Sequence, residues 1–301
     1  MRSANPEGLI LVTGASGHIG TEVCRVLRTA ERKILPVDLN PAPSADVIAC
    51  DLHQERDVSR LFETYPIRIV IHLAAILLGA FRADPLTGAE VNLSASLQLM
   101  RQAVTAHVQR FIFASSIAVY GSSPTDRPVT ESDPAAPDEP YGGSKRAIEL
   151  VGETLHSLRA IEFVSLRIAR VIGPGVKKTS SPWRAQIFES LPGGSIRMPY
   201  APEAELSLVH VEDVARMLLT LADSTKIGSL VYNTPVEIWE ARQLKEVIEK
   251  VTGAQIELGE NGVHGGPTCD GSRFAREFRF ELRGLRERLS DHRRAAESVR
   301  R

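Results

Sequence analysis

Four apolar residues, Leu9–Val12, run directly into Thr13-Gly14-Ala15-Ser16-Gly17-His18-Ile19-Gly20, and an apolar stripe at helical spacing follows at Ile19, Val23, Val26, Leu27 and Ala30. A short buried strand that turns through three glycines into a helix leaves few choices of fold. Gly14 permits the tight turn, Gly17 lets the backbone approach a pyrophosphate, and Gly20 lets the helix pack closely on the strand. The N–H groups at the helix start favour phosphate at that point. Such a glycine motif is a weak signal alone, and its strand-to-helix context makes it a dinucleotide loop.

Further apolar runs at Lys33–Val37, Val47–Ala49, Arg68–Leu73, Phe111–Ser115 and Phe163–Ile168 read as buried strands between amphipathic stretches. Strand and helix in alternation imply βαβ units and a parallel sheet with right-handed crossovers. The fold class expected is α/β, a doubly wound parallel sheet of Rossmann type with a smaller, mostly C-terminal substrate-binding lobe. Residues 1–172, completed by about 208–233, form the expected NAD-binding core, and 173–207 with 234–301 the lobe. Gly173-Pro174-Gly175 breaks the pattern, and Pro182, Pro192, Pro199 and Pro202 mark an irregular stretch after it. Order returns as a strand end and helix over Leu208–Leu221, a strand over Leu230–Tyr232 and a helix through Leu244–Val251. Glycine-rich residues 257–270 read as a loop, and arginine-rich 280–301 as a solvated terminal helix or a frayed tail.

Composition narrows the partners. The 301 residues carry a net charge of −1, so no global field draws nucleic acid or an anionic membrane. No apolar run reaches the roughly 18 residues of a spanning helix. Cys24, Cys50 and Cys269 form no CxxC pair, and the eight histidines form no HxH or HxxxH pair, which argues against a disulfide framework and a metal site. A cytoplasmic chain acting on a small molecule, with no metal, nucleic acid or membrane partner, is the expectation.

The second strand ends at Asp38, 18 residues after Gly20, where a carboxylate can accept from the adenosine ribose and would repel a 2′-phosphate. NAD is therefore favoured over NADP, although an Asp can also simply open a loop. Asp51-Leu52, after the third strand, could reach the adenine amino group or cap a turn. Tyr141-Gly142-Gly143-Ser144-Lys145 puts a phenol and an ammonium four residues apart on one helical face. A cationic Lys145 would lower the Tyr141 pKa towards acid/base use, and Lys145 could also bond the nicotinamide ribose. Ser116 ends a strand and could donate to a substrate oxygen as charge develops there.

These segments together resemble the extended short-chain dehydrogenase/reductases of the NAD-dependent epimerase/dehydratase family. The likeness covers about residues 8–290 and rests on the glycine motif, Asp38, Asp51-Leu52, His72-Leu73-Ala74-Ala75, Val91-Asn92, Ser115–Gly121, Tyr141–Lys145, Leu166-Arg167, Gly173-Pro174 and Val209–Ala215. It implies that Gly14, Ser16, Gly17, His18, Ile19, Gly20, Asp38, Asp51, Leu52, Leu73, Ala74, Ala75 and Asn92 line the cofactor site with Tyr141 and Lys145. It implies Ser116, Tyr141 and Lys145 as the catalytic trio, and a homodimer through helices near 86–107 and 141–157. His72 and His210 read as packing and hydrogen-bonding residues, and Asp213 as a helix-start residue.

Departures from the family pattern bear on the reaction. Ile117 and Ala118 stand where dehydratases carry an acid pair, which argues against elimination of water. Arg170 stands where nucleotide-sugar epimerases usually have Asn, Leu206 where they tend to have Arg, and Gly259–Asp270 holds no Arg or Lys to clamp a diphosphate. His72–Leu78 and Ser115–Gly121 look like the L-threonine dehydrogenase branch, which acts on a small hydroxylated acid. Arg170, Lys177, Lys178 and Arg184 are candidate partners for a substrate anion, or a solvated basic loop. The leading expectation is an NAD-dependent oxidoreductase interconverting a secondary alcohol and a ketone by hydride transfer in a small polar sugar-like or hydroxy-acid substrate, with Tyr141 as acid/base. An epimerase using the same trio through a transient ketone is the alternative, and a non-catalytic nicotinamide sensor a third reading, against which the retained Tyr141 and Lys145 speak.

Overall fold

The computed structural model describes residues 8–41, 46–175, 181–190 and 192–299. Strands β1 (Leu9–Thr13), β2 (Ile34–Asp38), β3 (Ile48–Ala49), β4 (Ile67–His72), β5 (Arg110–Ser116) and β6 (Glu162–Ile168) fall where the apolar runs predict. Helices α1 (His18–Thr29), α2 (Glu55–Thr64), α3 (Leu78–Ala83), α4 (Pro85–Ala89), α5 (Ser96–Thr105) and α6 (Pro140–Ser157) are interleaved with them. Then follow β7 (Arg170–Ile172), α7 (Trp183–Glu189), β8 (Ser195–Tyr200), β9 (Glu205–His210), α8 (Val211–Asp223) and β10 (Val231–Asn233). The chain continues with β11 (Glu237–Glu240), α9 (Ala241–Thr252), β12 (Gln255–Val263), α10 (Ser272–Phe278) and α11 (Leu285–Val299).

The chain divides into two units: one as far as Gly121 with Pro134–Arg167 and Ala215–Tyr232, the other Ser122–Asp133, Ile168–Val214 and Asn233 onward. The first is built on a seven-stranded parallel sheet in the order β10-β6-β5-β4-β1-β2-β3. Strands β4, β5 and β6 are buried along nearly their whole length, which suits a parallel sheet covered on both faces. Leu11, Val70, Leu99, Phe111 and Phe163 are fully buried in one apolar cluster, and the Phe111 and Phe163 rings stack at 6.3 Å. From β1 the chain winds outward through β2 and β3, then returns to β4 on the other side. The sheet order therefore reverses between β1 and β4, the place where doubly wound sheets open a crevice.

The second unit holds a three-stranded sheet, β11-β9-β7, and a parallel pair, β12 with β8. The stretch after Gly173 is more regular than its prolines suggest: β8 alternates strictly, with Ile196, Met198 and Tyr200 turned into the core. Residues 257–270 are not wholly a loop either, since β12 runs through Val263 and pairs in register Ile256 with Ile196. The arginine-rich end is neither solvated throughout nor frayed over its described length. Leu285 and Leu289 of α11 join the core around Trp183 and Leu244, and Arg288 is 5% exposed, its guanidinium 2.7 Å from Glu212 and 2.8 Å from Asp213. Asp213, in the first turn of α8 as expected, is 1% exposed and spends its charge on that pair. Among the described residues no helix is long and apolar enough to cross a membrane.

Candidate active site

The glycine loop sits at the switch point of the first unit. Gly14 has φ +68°, and a Cβ there would lie 2.8 Å from the backbone nitrogen of Ala74, so only glycine lets the loops after β1 and β4 meet. A Cβ on Gly20 would lie 2.0 Å from the carbonyl oxygen of Gly14, which is the close packing of α1 on β1 that the motif implies. Gly17 precedes α1 with no side chain capping it and no acidic residue in the first turn. The helix start thus brings no side-chain carboxylate or cap of its own, and its N–H end and dipole favour a phosphate. A cradle that any Cβ would fill, followed by such a helix start, fits the pyrophosphate of a dinucleotide.

Thr13 and His72 clasp the ends of β1 and β4. The Thr13 hydroxyl meets His72 Nδ1 at 2.7 Å and accepts from the amides of Leu73 and Ala74 at 3.2 and 3.3 Å, while His72 Nε2 meets Ser96 Oγ at 2.8 Å. Burial, with the charge of Lys145 in support, pushes His72 down to about 3, so it stays neutral and serves as a hydrogen-bonding post. Asn92 lies in a widened π turn, Glu90–Ala95, between α4 and α5. Its amide accepts from Ile76 N at 2.8 Å and donates to Ile76 O at 2.9 Å, holding the segment after Ala74 and Ala75. Asn92 also donates to Ser144 Oγ at 3.4 Å, so it links that segment to α6.

At the edge of the crevice Asp38 accepts from the amide of Ser16 at 2.9 Å and from that of Asn40 at 3.0 Å. The residue expected to meet the ribose is thus tied to the glycine loop itself. Pairing of Asp38 with Ala49 brings Asp51 and Leu52 to the same edge. Asp51 accepts from the backbone and ring of His53 at 3.0 and 3.1 Å, and these bonds hold it below the usual carboxylate range. It does cap its own turn, the simpler of its two readings.

Ser116 closes β5 and its Oγ accepts from Ala118 N at 3.2 Å, which leaves the hydroxyl proton to donate elsewhere. Gly142 then brings α6 against this turn, since a Cβ on it would lie 2.2 Å from the carbonyl oxygen of Ala118. Pro140 opens α6, and Tyr141 and Lys145 fall on one face of it, with Lys145 Nζ 5.8 Å from the Tyr141 ring centre. Lys145 is 4% exposed and donates to the carbonyl oxygen of Ala114 at 2.8 Å. Burial pushes its pKa down to about 8, against the opposing charge of Glu149.

Glu149, one turn further along α6, escapes notice in the sequence. It is fully buried, accepts from Arg167 Nε and Nη2 at 2.9 and 2.7 Å, from Ser115 Oγ at 2.6 Å and from Arg146 at 3.0 Å. Burial acts to raise its pKa, but the bonds and charge of Arg167, with Ser115 and Arg146, outweigh that and leave it lowered. Arg167 also donates to the Tyr120 hydroxyl at 2.8 Å. The available signal was a carboxylate at i+4 from Lys145, together with the arginine of Leu166-Arg167.

Arg170 and Arg184 belong to the second unit. Arg170 donates from Nη2 to Gly265 O at 2.9 Å, and Arg184 from Nε to Ser181 O at 3.5 Å. Lys177 and Lys178 lie outside the described residues. His210 accepts on Nδ1 from Glu212 N at 3.2 Å and packs edge-on against Phe188, a structural role. Among the described residues no group of three or more His, Cys, Asp or Glu could hold a metal ion.

Residues 10–233 match the model of the NAD dependent epimerase/dehydratase family. The UDP-glucose 4-epimerase of Vibrio cholerae is 30% identical over 74% of this chain and 69% of its own length. That of Halalkalibacterium halodurans is 28% identical over 65% of this chain, which spans only 56% of the relative's length. Among solved structures, MoeE5 in complex with UDP-glucuronic acid and NAD superposes with a TM-score of 0.81 at 28% identity, over 96% of this chain and 100% of that one. L-threonine dehydrogenase from Phytophthora infestans shares the fold, with a TM-score of 0.85 at 20% identity over 96% of this chain and 99% of that one. The glycine cradle, the buried lysine of α6 and these matches have one reading: the chain belongs to the NAD-dependent epimerase/dehydratase family and is an NAD-dependent enzyme of the extended short-chain dehydrogenase/reductase type.

Proposed function

We propose that this enzyme interconverts a secondary alcohol and a ketone in a small polar substrate, sugar-like or a hydroxy acid. The observation that carries the reading is the grouping of Ser116, Tyr141 and Lys145 at one end of β5, with Lys145 buried and fixed to Ala114 O at 2.8 Å. Gly14, Ser16, Gly17, His18, Ile19 and Gly20 would hold the pyrophosphate, Asp38 the adenosine ribose, Asp51 and Leu52 the adenine side, and Leu73, Ala74, Ala75 and Asn92 the remaining wall. Bound NAD supplies the hydride acceptor. Tyr141, as the phenolate, takes the substrate hydroxyl proton and becomes the phenol. Lys145 lowers the phenol pKa so that the phenolate is available, and would bond the nicotinamide ribose. Ser116 donates its hydroxyl proton to the substrate oxygen, steadying it as its charge changes.

An epimerase is the second reading, favoured by the UDP-glucose 4-epimerases among the relatives. It uses the same trio, with the ketone retained, turned over and reduced again. Leu206, fully buried in the core of the second unit, offers no hand to a nucleotide, which favours the first reading. Residues 173–207 and 234–301 are assigned to substrate recognition. Exposed Leu86, Leu97, Leu150 and Val151 on α4, α5 and α6 support a homodimer through those helices. Three buried free thiols suit a reducing, cytoplasmic setting.

The test is absorbance of NADH with purified protein, NAD and a panel of uronic, aldonic and hydroxy amino acids, with UDP-sugars alongside. NADH formed with one small acid supports the dehydrogenase. A UDP-sugar isomerised without net NADH, by protein that keeps its cofactor through desalting, selects the epimerase. Inertness towards the whole panel overturns both.

A further inference from the structure

Arg170 opens β7, and its backbone is set by pairing with Leu208 on β9. Its guanidinium lies over the Tyr200 ring, 5.2 Å from the ring centre, and Nη2 is bonded to the Gly265 carbonyl oxygen at 2.9 Å. Nη1 is buried and has no partner, and among the described residues no carboxylate pairs with Arg170. The same Tyr200 ring is met edge-on by Trp183 at 5.8 Å, and the buried indole N–H of Trp183 also has no partner. Two donors without acceptors thus flank one aromatic ring. Other arginines of this unit, among them Arg273, Arg283, Arg288 and Arg294, pair with carboxylates.

A buried guanidinium N–H left unpaired is costly, and an arginine without a counter-ion in such a place is a receptor for one. We propose that Arg170 is an oxyanion-binding residue, taking a carboxylate or phosphate oxygen of the substrate on its free Nη1 donor. Stacking on Tyr200 and the bond to Gly265 orient the guanidinium plane in advance, so little side-chain freedom is lost on binding. A neutral sugar offers no charge-assisted partner and is rejected. That the anion is part of the substrate rests on the catalytic reading above; the anion site itself does not.

Both tryptophans of the chain, Trp183 and Trp239, lie in the second unit, so intrinsic fluorescence reports on it without any turnover. The full chain carrying Tyr141→Phe, so that no NADH accumulates, is titrated with D-glucuronate, inorganic phosphate, UDP and D-glucose, with and without NAD. The expected result is a saturable change with at least one anion and none with glucose. Adding Arg170→Gln weakens that binding by about tenfold or more, and Arg170→Lys, which keeps the charge but loses the planar fork, by less. Glucuronate alone identifies a carboxylate, and phosphate with UDP a phosphate. Glucose binding as tightly as the anions, no response to any probe, or affinity unchanged in Arg170→Gln would overturn the proposal. If near-ultraviolet circular dichroism shows Arg170→Gln unfolded, Arg170→Lys carries the comparison, and unchanged affinity there is equally fatal. Turnover is assayed separately with Tyr141 restored. Anion binding that depends on Arg170 without turnover leaves this site standing and fails the catalytic reading. Turnover of an anionic substrate with a KM that Arg170→Gln leaves alone fails the anion site only.

Discussion

Lys145 donates from Nζ to the carbonyl oxygen of Ala114 at 2.8 Å, so the ammonium of α6 is fixed to the strand that ends in Ser116. Burial holds its pKa near 8, well below the usual lysine value of 10.5. Between those values the unfolded chain binds the proton and the folded chain does not, so this group adds stability as pH rises from about 8 to about 10.5 and withdraws it as pH falls through about 8. Urea titrations across that range should show wild type gaining on Lys145→Met with rising pH. A difference that does not move with pH would contradict the assignment. Turnover that needs the ammonium should decline above about 8.

Tyr141→Phe removes the phenol oxygen proposed as the acid/base group and keeps the ring. Turnover should drop by about a hundredfold to ten-thousandfold, with NAD affinity and melting temperature preserved. Full activity in this variant would remove Tyr141 from the reaction.

Gly14→Ala forces a Cβ to within 2.8 Å of Ala74 N at a φ of +68°. The expected outcome is a loss of roughly 1–3 kcal/mol of stability and of NAD binding, read by denaturation and by calorimetric titration. Gly143→Ala is the contrast, because a Cβ there meets nothing within 4 Å and the residue is helical, so stability should hold or rise.

Glu149→Ala strands the buried guanidinium of Arg167 and should cost about 3–5 kcal/mol in urea unfolding. Adding Arg167→Met should return part of the loss, a coupling absent if the two act independently. With Glu149 gone, the ammonium of Lys145 loses a supporting charge, and the alkaline decline in turnover should shift to lower pH.

The core strands were legible because residues such as Val70, Ile71, Phe111 and Phe163 are buried on both sheet faces and appear as unbroken apolar runs. The glycine loop and the Tyr141–Lys145 spacing were legible because each is local. What escaped depends on distant partners. Arg288 looks like one more solvated arginine until Asp213 and Glu212 are brought to it. Strand β8 alternates as an amphipathic strand should, yet Pro192, Pro199 and Pro202 masked Ile196, Met198 and Tyr200. The Glu149–Arg167 pair joins a helix to a strand across 18 residues, and neither residue marks the other in the sequence.

The bond between Asp38 and the amide of Ser16 has a bearing on any attempt to redirect the enzyme to a phosphorylated cofactor. Exchanging Asp38 for a cationic side chain would strip the glycine loop of an acceptor in the same stroke that it welcomed the extra phosphate. With Gly14 already wedged against Ala74, the loop has no slack with which to re-form. Retooling here is a paired problem: a substitution at 38 must come with a second residue that gives the Ser16 amide a new acceptor.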